Sequence, residues 1–253
     1  MYTYYMKKIF LALLTLTSFV FAGCSSAKVD FSAYSKVALI CVRGNSTLPW
    51  YVPKSAMDSD EKKKANTGDG LLTRALHAAT NNTDPEFNTG FERLDYAEDA
   101  FRQIVCQNTH IEVLEKSEVV TSKKYKILGE GLFKSLNSSI CATDYKNLSE
   151  IGRADAEYLL KDVGADCGVI LSFQFNKKIK TGNKKYGEFV PYGELLVTVV
   201  NSKGKEILHK KYSADGAKSI KVQGKGYDKE ELVALYPELI DTLINLFVID
   251  SLV

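Results

Sequence analysis

Histidine is scarce in this sequence. His77, His110 and His209 are the three in 253 residues, they fall in different segments, and none has a partner one helical turn away. No imidazole pair is available to begin a zinc site, so no metal is expected. The five cysteines include no CxxC and no Cys/His cluster at metal spacing. Serine in a nucleophile-elbow pattern is absent as well. Gly129-Glu130-Gly131 and Gly224-Lys225-Gly226 lack the Lys-Ser/Thr of a phosphate loop and read as turns. A charge excess is missing too. There are 33 basic and 31 acidic residues, and two of the lysines, Lys7 and Lys8, lie in an amino-terminal leader. Nucleic-acid binding needs a basic surface that releases counterions, so no nucleic-acid partner is expected. Hydrophobic content is 45% and charged content 25%, which excludes global disorder and low-complexity architecture. Nothing in this composition points to an enzyme or a cofactor.

What is present begins at the amino terminus. Lys7 and Lys8 precede Ile9–Phe21, a mostly apolar run of 13 residues, followed by Ala22, Gly23 and Cys24. Charge, apolar core and small residues in that order predict a signal peptide over residues 1–23. The run is too short for a membrane span, which needs about 20 residues. Phe21-Ala22-Gly23-Cys24 resembles the lipobox of bacterial lipoproteins, with Phe21 where that family usually has leucine. The resemblance implies cleavage before Cys24, a diacylglycerol thioether on its sulfur, and acylation of its new amino group, typically with palmitate. Two or three acyl chains hold a protein firmly in a bilayer, because each buried methylene adds about 0.8 kcal/mol. Residues 24–32 then form the lipidated cysteine and its tether. Ser25 follows the cysteine instead of aspartate, which in the enteric sorting rule implies the outer membrane.

The other cysteines are Cys41, Cys106, Cys141 and Cys167. An oxidising envelope compartment permits disulfides. Cys41 and Cys167 sit in apolar strand-like runs and read as small buried hydrophobes. Cys106 and Cys141 lie near element ends and are the candidate disulfide pair.

Residues 33–253 read as a single α/β domain. KVALICV (36–42) is a compact β-branched run, a buried strand. Residues 45–93 are polar and read as an insertion in which only Leu71–Thr80 looks helical. Order is expected to resume at Asp95 with a helix through Ile104 and Val105, then a strand over Ile111–Val120. Helices are predicted over 122–136 and from Leu148 to Val163, with Gly164 as a C-cap. A strand follows from Cys167, then a lysine-rich link over Lys177–Gly187. Tyr192–Val200 and Lys205–Ala214 form a hairpin about Asn201-Ser202-Lys203-Gly204. Lys229–Leu252 is helical, with a kink or break at Pro237. Three strands linked by helices, plus an antiparallel hairpin, give a mixed sheet with helices packed on it.

This order resembles the envelope α/β superfamily that includes the CsgG periplasmic domain, the TolB amino-terminal domain and the penicillin-binding-protein activator LpoB. The residues that carry it are KVALICV, the helix ending near Cys106, IEVLEKSEVV, and Val163-Gly164-Ala165-Asp166 before Val169-Ile170-Leu171. The Tyr192–Ala214 hairpin with Gly204 completes it. The likeness covers residues 33–250 apart from 45–93. A CsgG-type pore is excluded, because Lys177, Lys178, Lys180, Lys184 and Lys185 fall on both parities of the candidate membrane hairpin. Each would cost about 2–4 kcal/mol at mid-membrane on the lipid face.

Two surface features stand out. Five lysines, Lys177, Lys178, Lys180, Lys184 and Lys185, fall within nine residues. They suit anionic headgroups or a polyanionic glycan, or simply keep a hairpin tip soluble. Trp50 and Tyr51, between Pro49 and Pro53, either contact a partner or fold the insertion back on the core. Asp166 reads as a ligand for backbone N–H groups where a strand begins, ahead of any acid-catalyst role. The expected function is a non-catalytic, membrane-anchored interaction module whose partner is another envelope protein. The alternative is a solute- or glycan-binding lipoprotein with a pocket lined by the insertion. The third reading is an envelope hydrolase assembled from distant segments.

Overall fold

The computed structural model describes residues 34–53, 84–129, 139–224 and 226–252. The leader, Phe21 to Cys24, the tether, the expected 71–80 helix and His77 lie outside the described residues.

KVALICV is the centre of the sheet. Strand β1 (Lys36–Asn45) has Val37 at 3% exposure and Ala38 to Val42 at 0%. It is buried on both faces because its parallel neighbours bring helices to each side. Those neighbours are β2 (Glu112–Val113) and β4 (Cys167–Gly182). Strands β5 (Tyr186–Asn201) and β6 (Glu206–Asp215) follow β4 in antiparallel order. Short strands β3 (Ser139–Cys141) and β7 (Ile220–Gln223) pair antiparallel with β1 and β5. The path is β2-β1-β4-β5-β6 in a sheet of seven strands. This is the mixed α/β fold expected from the sequence.

The helices are α1 (Pro85–Asn88), α2 (Gly90–Asn108), α3 (Lys116–Val120), α4 (Lys123–Ile127), α5 (Arg153–Val163), α6 (Lys229–Val233) and α7 (Tyr236–Ser251). Pro237 sits in the first turn of α7, where its missing N–H costs nothing, so it starts a helix after a break. Leu94, Ala97, Phe101, Ile104 and Val105 of α2 form one buried stripe. It meets the α7 stripe of Leu239, Ile240, Leu243, Ile244 and Phe247, with the Phe101 and Phe247 rings stacked 6.3 Å apart. Burying that α7 row contributes on the order of 10 kcal/mol. Residues 229–251 are long and apolar enough to cross a membrane; part of this apolarity is the stripe that covers β5 and β6, while Leu246 and Ile249 stay exposed. Helix α5 packs on the opposite face, where Leu160 closes on Gly168 of β4. It ends at Gly164, with φ +69°, as expected.

Five expectations about elements are corrected. The helix expected over 122–136 ends at Ile127, where Leu128 turns extended. Only Glu112–Val113 of the 111–120 run pairs as strand. At Glu115 the chain turns into α3, because the Glu118 carboxylate accepts the Glu115 N–H at 3.0 Å in a capping box. The helix from Leu148 starts instead at Arg153. Order resumes before Asp95, since Asp84 caps α1 by accepting the Glu86 N–H at 3.0 Å and α2 follows at Gly90. Finally, Lys177–Gly187 is not a link. β4 and β5 run on through it as one long hairpin, turned at Asn183, whose side chain accepts the N–H groups of Lys185 and Tyr186 at 2.8 and 3.1 Å.

No disulfide joins Cys106 to Cys141. Thr143, just past Cys141, is tied by its N–H to Asp95 at 2.6 Å. Cys106 lies eleven residues further along α2, about 16 Å on at the helical rise, while a disulfide needs Cα atoms within about 7 Å. Cys41 and Cys167 are buried, as read from their apolar runs, and burial pushes the Cys167 thiol up to about 12.

Candidate interaction surface

Past the end of β1, residues 49–51 take its place beside β4. Lys177 donates its N–H to Pro49 O and Tyr51 donates to Lys177 O, both at 2.8 Å. Successive residues of an extended chain point to opposite faces. Trp50 therefore turns to the helix-covered face, edge-on to Phe189 at 5.0 Å. Tyr51 turns to the other face and lies on Tyr192 at 4.2 Å. The aromatic pair thus folds the start of the expected insertion onto the sheet.

On the covered face lies a buried polar knot. Lys177 and Glu86 are 7% and 8% exposed. The Lys177 ammonium meets Glu86 Oε2 at 2.6 Å and Tyr227 Oη at 2.9 Å, and the Tyr227 hydroxyl donates to Glu86 Oε1. The rings of Trp50 and Tyr227 flank the same ammonium at 5.3 and 5.4 Å. Burial and the bond to Glu86 push the Tyr227 phenol up, so it stays a donor. Close by, buried Arg93 donates to Glu86 O, Ser46 O and Thr89 Oγ1 at 3.2, 3.0 and 2.7 Å. Its guanidinium sits between the rings of Phe175 and Tyr236, each 5.6 Å away. Burial lowers its pKa to about 10, with Tyr236 and Glu86 opposing the shift. Asp84 is held below the ordinary carboxylate range: burial raises it, but the Lys229 ammonium at 2.5 Å and the Glu86 N–H outweigh that. Each charged side chain here is held by at least one hydrogen bond, although the buried Arg93 Nε has no acceptor among the described residues, and the arrangement suits a structural clamp at the root of the hairpin.

The other face differs. α5 covers its lower part near β1, but among the described residues no helix lies over Gln174 of β4, Glu194 and Leu196 of β5, or Lys211 and Ser213 of β6. Gln174, Lys211 and Ser213 are exposed. Lys178 meets Asp215 at 2.8 Å and lies over the rings of Tyr192 and Tyr51 at 5.3 and 5.8 Å. Tyr192 donates to Glu194 Oε1 at 3.0 Å, and Lys211 pairs with the same carboxylate. Burial and this carboxylate raise the Tyr192 phenol. The result is a polar face on which half-buried Tyr51 lies over Tyr192, itself only 8% exposed. Strand β6 bounds it, and among the described residues nothing pairs with the far side of β6.

The five lysines therefore do not form one patch. Lys177 is buried in the knot, held by Glu86 and Tyr227, and is not part of an exposed patch. Lys178 belongs to the open face. Lys180, Lys184 and Lys185 are exposed at the hairpin tip, with Lys184 5.3 Å from the Trp50 ring. Asp166 does what its position suggested, with its carboxylate accepting Ser35 N, Ser35 Oγ and Lys36 N, each at 2.9 Å. Those bonds, led by the Ser35 N–H, hold it below the usual carboxylate range although burial opposes them. Sequence reasoning missed Glu86, Arg93, Tyr192, Glu194 and Tyr227. Asp84-Pro85-Glu86 carries a helix-start signal that would have placed Glu86.

No family model and no curated protein matches this chain. Among solved structures, the LpoB C-terminal domain from Salmonella enterica is similar over 72% of this chain and 83% of its own, at 12% identity and a TM-score of 0.30. Lipoprotein GNA1162 from Neisseria meningitidis is similar over 83% of this chain and 99% of its own, at 12% identity and a TM-score of 0.24.

Proposed function

We propose that this chain is a bacterial envelope lipoprotein, held in the outer membrane through a lipidated Cys24. Its α/β domain is a non-catalytic module that binds another envelope protein. The leader and the Phe21-Ala22-Gly23-Cys24 motif support the anchor. The observation that carries the binding role is the open face of β4–β6. Half-buried Tyr51 is held there, packed on the buried Tyr192 ring, among exposed polar groups and beside a strand edge that is unpaired among the described residues. Tyrosine in such a setting is a frequent hot-spot residue, and rigid presentation lowers the entropy cost of binding. The lipid fixes one end of the chain and the sheet presents the other.

The test uses the lipidated protein in cells, with a photocrosslinking residue at Gln174 or Ser213 and, as control, at exposed Glu157 on α5. One envelope protein crosslinked from the first two positions and not from the third supports the reading. No adduct, or the same adducts from all three, overturns it. The glycan-binding alternative draws on the same face, where two phenol rings lie beside the carboxylates of Glu194 and Asp215. A sugar that co-purifies and is lost in Tyr51→Ala would favour it.

A further inference from the structure

The tip of the β4–β5 hairpin belongs neither to the buried knot nor to the open face. Among the described residues, the last neighbour on its β4 side is the bridge from Trp50 to Lys177. From Lys177 the strand continues to Gly182, about 16 Å at the rise of an extended chain. Around this tip Lys180, Lys184, Lys185 and Lys221 are all exposed. The paired segments 179–190 and 220–223 contain one acid, Glu188, which accepts from Ser219 Oγ at 3.1 Å.

Two contrasts give this meaning. The other lysines of β4 and β6 each meet a carboxylate: Lys177 with Glu86, Lys178 with Asp215, Lys210 with Asp250, Lys211 with Glu194. Among the described residues, Lys180, Lys184, Lys185 and Lys221 have no such ion pair. The second contrast is apolar. Tyr186 is 64% exposed and Ile179 is 38% exposed, at the same end of the hairpin. Unpaired cations around a small apolar tip are the composition of a segment that sits at an anionic bilayer surface.

We infer that the β4–β5 tip docks on anionic phospholipid headgroups, with Lys180, Lys184 and Lys185 at the headgroups and Tyr186 and Ile179 in the interface. The tip is then a second membrane contact. It orients the domain and leaves the open face of β4–β6 free for a partner. It does not depend on Cys24, because the attraction is electrostatic and local.

Trp50 is the only tryptophan in the chain and lies beside Lys184, so it reports on the tip. The purified full chain is mixed with vesicles of phosphatidylcholine alone, or of an equimolar mixture with phosphatidylglycerol, each with and without brominated acyl chains. Bromolipid quenching of Trp50 in the mixed vesicles and not in the neutral ones is the expected result, and it should fade with added salt. Each lysine adds roughly fivefold to surface association, so Lys180→Gln, Lys184→Gln and Lys185→Gln together weaken docking on the order of a hundredfold. Among these side chains Lys184 contacts the Trp50 ring, so the quenching of each protein is read relative to its own lipid-free intensity, and an unchanged circular dichroism spectrum confirms the fold. Equal quenching in neutral and anionic vesicles overturns the inference, as does wild-type quenching by the triple variant. So does a Trp50 response to heparin with none to vesicles, which would assign the tip to a polyanionic glycan. Flotation with neutral vesicles reads the lipid anchor separately. A chain that floats only with anionic vesicles has the tip contact without the anchor.

Discussion

Lys177→Met should be among the most damaging single substitutions on the hairpin, although a sequence reading places Lys177 in a solvated basic run. The perturbation is clean. The backbone bonds that hold residues 49–51 beside β4 use Lys177 N and O, which methionine keeps. What is lost is the ammonium 2.6 Å from a Glu86 carboxylate that is itself 8% exposed. Breaking a buried pair by removing one partner costs about 3–5 kcal/mol, because the remaining charge is left in a poor solvent. At 2–4 °C per kcal/mol for a domain of this size, the unfolding midpoint should fall by roughly 6–20 °C. Adding Glu86→Gln removes the stranded charge and keeps an acceptor for the Tyr227 hydroxyl, so the double variant should recover most of the loss. Urea and thermal unfolding followed by far-UV circular dichroism measure both. A Lys177→Met cost below about 1 kcal/mol, or a double variant that loses the sum of the singles, refutes the clamp.

Three further outcomes follow from the same structure. Gly204→Ala should destabilise far more than Gly164→Ala, although both glycines have positive φ, because a Cβ at 204 would meet Arg153 O at 1.9 Å and one at 164 meets nothing within 4 Å. The second should cost about 1 kcal/mol and the first clearly more, in the same urea assay. Asp166 has a depressed folded-state pKa, so its contribution is present above the unfolded value of about 3.9 and is lost as pH falls through the folded one. Asp166→Asn should therefore flatten the acid limb of stability against pH below about 4, and an unchanged limb would count against those bonds. Reductant should leave the unfolding midpoint where it is, since no disulfide joins the described cysteines; a fall of several degrees would reveal one.

The parts of the fold legible in the sequence were those with one dominant signal. KVALICV is buried on both faces and reads as a continuous apolar run. The α7 stripe repeats at helical spacing, and Gly164 marks a helix end. What stayed hidden was set by partners far away in the chain. The Lys177–Lys185 run looks like a link because lysine hides its strand period. It is strand because residues 49–51 and β7 supply hydrogen bonds from outside the run. The lysines differ because parity and neighbours differ: Lys177 points at Glu86, 91 residues away, and Lys178 points at Asp215. At 111–120, the β-branched residues suggested one strand, and the Glu115–Glu118 spacing that starts a helix was overlooked. For the candidate site, Trp50 and Tyr51 were visible as aromatics. Their division between two faces, and the part played by Tyr192 and Glu194, follow only from register.

The most direct test of the account is the mass of the mature amino terminus. The protein is extracted from bacterial membranes, digested, and its first peptide analysed by mass spectrometry. The account predicts a chain that begins at Cys24, with a diacylglyceryl group on sulfur and an acyl group on the amino nitrogen, and no such species from Cys24→Ser. A mature chain that begins elsewhere, or a Cys24 with no lipid on it, would contradict it.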